Sequence, residues 1–326
     1  MNKAYALCLA TVMMWGAVIN SFRYAVSIVE ANPIVFALFA LFIAGGTLII
    51  IAGPGHLGVN TIRRPHTWLY GIFQIILAIF EIGVTKYVTA TEASLLLRFG
   101  IPLSLLITWI FLKRKPLKTD LIGVLIILAG IWHILGGINN DIKAPLLFFV
   151  IGSGIFLTIR TLIAETHPES QQANSIKDRC RVTGYVLLVT NLFSIIMFYL
   201  IASFKTPALI TEMPALNIFP SSSDFFLQPM ILASIIVGAI FWAPAMYFYF
   251  YAAKEAKTEQ FMIFTAFMPI FTLFFEFILS LFTKTDITEI SRSDLFAGLI
   301  IIIGASFMVI MRNKKAKKSK VIESSI

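Results

Sequence analysis

The amino-acid sequence predicts an all-α polytopic membrane protein, with about ten transmembrane helices arranged as two inverted five-helix repeats. Three observations carry this expectation: a composition unsuited to water, a series of apolar runs of bilayer length, and an internal repetition at a fixed offset. Hydrophobic residues make up 58% of the chain and charged residues 13%, with a mean hydropathy of +0.88, whereas a soluble domain carries roughly 25% charged residues. In such a chain the bilayer takes the place of water as the main solvent, and 326 residues leave little room for a separate soluble domain once spans of roughly 20 residues are counted.

The apolar runs fall at about 4–22, 33–52, 68–88, 93–112, 119–136, 144–164, 182–203, 229–251, 260–282 and 295–311, each bounded by charge, Pro or Gly. Internal Gly and Pro do not argue against helices in lipid, where neighbouring helices re-satisfy the freed backbone groups. The N-terminal run after Met1-Asn2-Lys3 lacks a small-x-small cleavage site before Asn20 and reads as the first span, not as a signal peptide.

The net charge of +9 is spread between the apolar runs and does not form a basic face, so a nucleic-acid partner is not expected. With the N-terminus inside, eighteen of the 26 Lys and Arg fall on the cytoplasmic side, among them Lys3, Arg64, Arg114, Arg179 and Arg181, and six of them form the tail from Arg312 to Lys320. Six fall outside, and Arg98 and Arg160 remain within spans. This bias predicts an integral membrane protein with both termini cytoplasmic, of the kind found in a bacterial inner membrane. Cys8 and Cys180 offer neither a disulfide framework nor a metal site.

Sliding the chain by 167 positions aligns Gly71 with Gly238, Ala78 with Ala245, Thr91-Glu92 with Thr258-Glu259, Pro102 with Pro269, Leu106 with Leu273 and Leu112 with Leu279. A further echo, Asp120-Leu121 with Asp294-Leu295, opens the last run of each half. Two halves with five spans each must insert in opposite senses. The expected organisation is a first half over 1–138, a second over 144–311, and a basic cytoplasmic tail over 312–326.

With Trp15-Gly16 in the first span, Ala93-Ser94-Leu95-Leu96-Leu97-Arg98 to Pro102 opening the fourth, Pro116 and Gly123 about the fifth and Pro269 in the ninth, the chain resembles the drug/metabolite transporter superfamily. The resemblance is to proteins with two EamA-type halves and covers nearly the whole chain. It departs from that pattern where Phe36-Ala37-Leu38-Phe39-Ala40 lacks an arginine and where Lys113-Arg114-Lys115-Pro116 replaces a Gly-Glu pair. The resemblance implies a ten-helix alternating-access carrier whose partners are a small-molecule substrate and the lipid bilayer. A homodimer is left open, and no cofactor is expected.

A charge in the hydrocarbon region costs about 2.5–3.5 kcal/mol on insertion scales, so each intramembrane ion needs a reason. Glu81 and Arg98 flank the third-to-fourth joint at similar depth and are expected to pair. Gln74, Ala78, Glu81 and Thr85 share one helical face, which reads either as a cavity wall, with Arg98 drawing an anionic group and Glu81 its counter-ion or a proton carrier, or as a packing seam fixed by a salt bridge. Thr265, Thr272 and Glu276 repeat the pattern on the ninth span, where Glu276 lies either in the cavity or at the external interface. Trp15 and Trp242 are candidates for an apolar wall, and Pro102 and Pro269 for breaks that free carbonyls near the midplane. The eighth span is dense in aromatics, Phe241, Trp242 and Tyr247 to Tyr251. They read either as lining an apolar or π-stacking pocket with Trp15 or, for Tyr247 to Tyr251 near the cytoplasmic end, as an aromatic belt. Arg160 is expected to snorkel to the cytoplasmic surface. His133 and Asn191 read as helix-contact groups.

His56, His66, His133 and His167 form no HExxH pair, no Walker loop occurs, and Gly152-Ser153-Gly154 is too short to cradle phosphate. A catalytic role and nucleotide-driven pumping are therefore not expected. Proton-coupled or gradient-driven transport of a small metabolite is the main expectation. A facilitative exchanger of the nucleotide-sugar type remains beside it, and a membrane-embedded enzyme or scaffold stands outside it.

Overall fold

A computed structural model describes residues 3–27, 29–55, 57–85, 87–88, 90–204, 220–283 and 291–324. The side chains of Arg23, Thr85, Lys86, Thr91, Lys205 and Lys284, and residues 207–219 of the Pro/Ser-rich segment Pro207 to Pro229 expected to be external, lie outside the described residues.

Among the described residues every expected span is helical and no strand occurs. The first half comprises α1 (Lys3–Ser27), α2 (Pro33–Ala52), the short α3 (Leu57–Ile62), α4 (Pro65–Thr85), α5 (Ala90–Leu96), α6 (Gly100–Leu112) and α7 (Lys118–Gly137). The second comprises α8 (Asn140–Thr166), the short α9 (Pro168–Gln172), α10 (Ile176–Phe204), α11 (Gln228–Val237), α12 (Ala243–Ala256), α13 (Thr258–Phe264), α14 (Met268–Thr283) and α15 (Arg292–Ser324). By length and hydropathy nine spans among the described residues suffice to cross a membrane. The remaining helix, α4, has 21 residues, or about 31 Å at 1.5 Å per residue, which matches a hydrocarbon core.

Local sequence sets the helix ends. Asn32 Oδ1 accepts from the backbone N–H of Ile34 at 3.0 Å and of Val35 at 3.4 Å, and Pro33 fills the first helical position, where no N–H is needed. Lys113 ends α6 in the left-handed region at φ 56°. The outer surface carries Trp109, Phe111, Leu125, Trp132, Phe148, Ile236 and Phe274, all exposed. Large apolar side chains turned outward at every height suit a hydrocarbon solvent.

Three helices are interrupted. A single 3-10 turn, Leu97–Phe99, separates α5 from α6, and another, Thr265–Phe267, separates α13 from α14. Pro102 and Pro269 follow these turns, inside the first turn of the next segment, where proline is tolerated. A π turn, Gly238–Trp242, joins α11 to α12 ahead of Pro244.

Helices at matching places in the two halves pack directly on each other. α7 meets α15 so closely that a Cβ on Gly123 would lie 2.9 Å from the Gly304 carbonyl oxygen, and one on Gly130 would lie 3.0 Å from that of Ala297. The contacting numbers rise along one helix and fall along the other, so the pair is antiparallel. α2 and α10 cross in the same sense, with Gly45 and Gly184 each at the other's carbonyl (2.9 and 2.8 Å for an added Cβ). Small residues allow such approach, and in lipid close packing drives association. Gly152-Ser153-Gly154 finds its use here too, since a Cβ on Gly154 would meet the Gly100 Cα at 3.0 Å.

Arg312, expected to begin a free tail, is the last anchor of α15. Its Nε and Nη2 donate to the Asp120 carboxylate at 3.0 and 2.8 Å, a bidentate pair. Asp120 also accepts from the Leu117 N–H at 2.8 Å and so caps α7.

Candidate functional site

One end of the bundle gathers the basic residues and their partners. The ion pairs between described residues all lie there: Lys3–Glu255, Arg64–Glu169, Arg114–Glu165, Arg114–Glu259, Arg181–Asp178 and Arg312–Asp120. At its centre Arg114 bridges Glu165 at 2.6 Å and Glu259 at 3.2 Å. The other oxygen of Glu165 accepts from both the backbone N–H and the hydroxyl of Thr258 at 2.7 Å each. Thr258-Glu259, the second copy of the repeated pair, thus closes the joint between α12 and α13 onto the ends of α6 and α8.

His167 belongs to this end. Its Nδ1 accepts from the Ser170 N–H at 3.4 Å, and its Nε2 lies 3.0 Å from the Thr67 hydroxyl, which itself donates to the Thr61 carbonyl. That network assigns the neutral tautomer with hydrogen on Nε2. Burial, with His66 and Arg64 adding like charge, pushes its pKa down to about 4.

About two turns further into the bundle the pattern changes. Arg160 of α8, expected to snorkel, is 4% exposed and sits among rings: its guanidinium carbon lies 4.9 Å from the ring centre of Tyr249, 5.5 Å from Trp15 and 5.8 Å from Tyr70. Its Nη1 donates to Gln74 Oε1. The correction has a physical reason: Gln74 and three π faces within the bundle supply what the aqueous surface would have offered. Trp15 stacks on Tyr249 at 5.3 Å, and the Tyr249 hydroxyl donates to Thr161 Oγ1 at 3.1 Å. Tyr249 is therefore a core residue and not part of an interfacial belt.

Two donors in this cluster have no protein partner. The Arg160 Nε and the Tyr70 hydroxyl are buried without a hydrogen bond. An unmade bond to a buried polar atom costs about 1–3 kcal/mol, so each such atom needs an explanation.

Tyr70, Gln74, Leu77 and Glu81 stand at i, i+4, i+7 and i+11 on α4, and Tyr70 and Leu77 are buried at 1% and 2% exposure. This stripe faces inward, yet Glu81 keeps intermediate accessibility. Glu81 lies within electrostatic reach of Arg160 and of Arg98. The expected ion pair with Arg98 is not made. Arg98, buried, gives its Nε to the Ser94 carbonyl at 2.8 Å and its Nη1 to the Thr265 carbonyl at 2.5 Å. Both acceptors sit beside 3-10 turns whose carbonyls the helix ladder leaves free, and these claimed the guanidinium. Arg98 and Thr265 are themselves equivalent under the 167-residue offset.

The other candidates divide between these places. Thr265 is buried, with its hydroxyl on the Met262 carbonyl. Pro102 and Pro269 flank the two turns. The Thr272 hydroxyl and the Trp242 indole N–H are buried without partners, and the Thr272 carbonyl accepts from Asn20 Nδ2 at 2.8 Å. Glu276 is buried at 7% exposure. His133 meets Ser293 at 3.1 Å, and Asn191 donates to the Leu187 carbonyl of its own helix. Sequence reasoning missed Tyr70, Asn20 and the inward placement of Arg160. Tyr70 had a signal, lying one helical turn before Gln74 on the same face.

A chain that is all-helical among its described residues, with an apolar outer surface and spans of bilayer length, is a polytopic integral membrane protein. Residues 2–136 match the family model of the EamA-like transporter family, part of the drug/metabolite transporter superfamily. A solved structure titled only "Crystal structure of protein" is similar over 95% of this chain and 98% of that one, with a TM-score of 0.64 at 15% identity, a likeness of fold. No curated protein matches.

Proposed function

We propose that the protein is a carrier that moves a small metabolite across the membrane by alternating access, driven by a proton or substrate gradient, with no catalytic step. The observation that carries this reading is the buried cluster about Arg160, with its two unsatisfied donors, in a chain whose residues 2–136 resemble a transporter family. The antiparallel packing of α2 on α10 and of α7 on α15 supports two inverted halves, 1–138 and 144–311, rocking about the contacts they share. The charge bias supports a cytoplasmic basic end, closed by Arg114, Glu165 and Glu259 in the state described here. Glu81, half-buried and without a direct ion pair among the described residues, is the proton carrier in this scheme.

The test is uptake and efflux of a labelled metabolite panel in proteoliposomes, with and without a pH gradient. Flux of at least one compound, accelerated by the gradient in wild type and indifferent to it in Glu81→Gln, is the expected outcome. No flux of any compound contradicts a carrier, and an unchanged gradient response in Glu81→Gln removes Glu81 from the coupling. Orientation is read separately from Ser222→Cys, which should react with an impermeant thiol reagent only from outside the cell.

A further inference from the structure

Not every polar group inside the bundle finds a partner. Arg160 and Arg98 are both buried, Glu81 acts electrostatically on each of them, and Glu276 is a further carboxylate, buried in the bundle. Arg98 is held by two backbone carbonyls and has a structural task. Arg160 has one edge on Gln74, rings about its guanidinium, and a free Nε. A buried guanidinium N–H without an acceptor is costly, and the planar fork fits a carboxylate better than a point charge would. The Tyr70 hydroxyl, also unpartnered, adds a second donor beside it. Trp15, Phe73 and Phe156, partly accessible where they pack against the buried core, offer ring faces next to that polar spot.

We infer that the transported compound is a small monocarboxylate with a planar apolar body, its carboxylate held by the Arg160 Nε edge and the Tyr70 hydroxyl and its body stacked beside Trp15. The open Arg160 Nε edge takes one carboxylate, and a neutral or cationic compound offers that edge no anionic acceptor. Glu81 repels a second carboxylate and so selects against diacids. The inference rests on the carrier reading for the word transported and names what that carrier holds.

The experiment measures equilibrium binding to purified protein in lipid nanodiscs by titration calorimetry, independently of flux. The probes are phenylacetate, its neutral isostere phenylacetamide, the cation phenethylamine and the diacid phenylsuccinate. Phenylacetate should bind with a Kd of about 1 mM or tighter, and the other three at least about tenfold more weakly. Arg160→Lys, which keeps the charge and loses the fork, should weaken phenylacetate by about tenfold or more. Arg160→Gln should abolish binding, with a retained elution profile and helical spectrum as the check on folding. Absence of phenylacetate binding, equal binding of phenylacetamide or phenethylamine, or unchanged affinity in Arg160→Lys would overturn the inference. Carboxylate binding without flux in proteoliposomes leaves the inference standing and sinks the carrier, whereas flux of a neutral or cationic compound without carboxylate binding does the reverse.

Discussion

The basic end and the Arg160 cluster are both built from arginines, carboxylate or amide oxygens and a few hydroxyls, yet they spend their hydrogen bonds differently. At the basic end Glu165 is met by Arg114 and twice by Thr258, and Asp120 by Arg312 twice and by the Leu117 N–H. In the cluster the Arg160 Nε and the Tyr70 hydroxyl stay unmatched although both are buried. The contrast teaches how to sort intramembrane polar groups: those that bond one another fix the helices, and those whose bonds are unmade are poised for something that comes and goes.

If that contrast is right, mutations at the basic end act first on stability. Glu165→Ala should have the largest effect, since it strips Arg114 of its shortest partner and leaves two Thr258 donors unmet. The expected loss is about 3 kcal/mol, at the low end for a broken ion pair because Arg114 is partly exposed. Thermal unfolding in nanodiscs reads it, and a loss below about 1 kcal/mol would show that the network is ornamental.

The same end should respond to acid. With its pKa held near 4 against about 6.5 in the unfolded chain, His167 binds fewer protons folded than unfolded, so its contribution is full above pH 6.5 and is lost as pH falls toward 4. About 2 kcal/mol should be gone at pH 5 and about 3 kcal/mol at pH 4. Protonation at Nδ1 would also set two hydrogens against each other at the Ser170 N–H. His167→Asn, which keeps a side-chain cap, should flatten the stability profile between pH 7 and 5, and an unchanged slope would place the acid sensitivity elsewhere.

Arg98 tests the boundary between the two regions. Although intramembrane and close to Glu81, it is satisfied by carbonyls, so Arg98→Gln should behave like a basic-end variant, losing about 1–2 kcal/mol while retaining ligand binding. Loss of binding at unchanged stability would move Arg98 into the site.

Much of this architecture could be read from residues alone. The spans followed from run length, and the side on which Lys3, Arg64, Arg114 and Arg181 gather followed from charge bias, because both are sums over many residues. Pro102 and Pro269 marked the two helix breaks because proline acts locally. Partner choice was less legible. Arg98 and Glu81 have matched depth and opposite sign, but the competing acceptors, the carbonyls of Ser94 and Thr265, are backbone atoms that leave no trace in residue type. Arg160 stood near a helix end, where snorkelling is the common outcome, and only the convergence of Trp15, Tyr70, Gln74 and Tyr249 from three other helices turned it inward. That convergence is a tertiary fact.

The most direct measurement is Tyr70→Phe, followed for thermal stability and flux in the same proteoliposomes. The substitution removes a buried hydroxyl that bonds to nothing in the protein, so stability should be unchanged or higher by up to about 1 kcal/mol. Flux should fall by about fivefold or more, the value of a lost hydrogen bond to a charged ligand. A protein that loses stability while transporting at the wild-type rate would contradict the account, because the hydroxyl would then serve the fold and not the ligand.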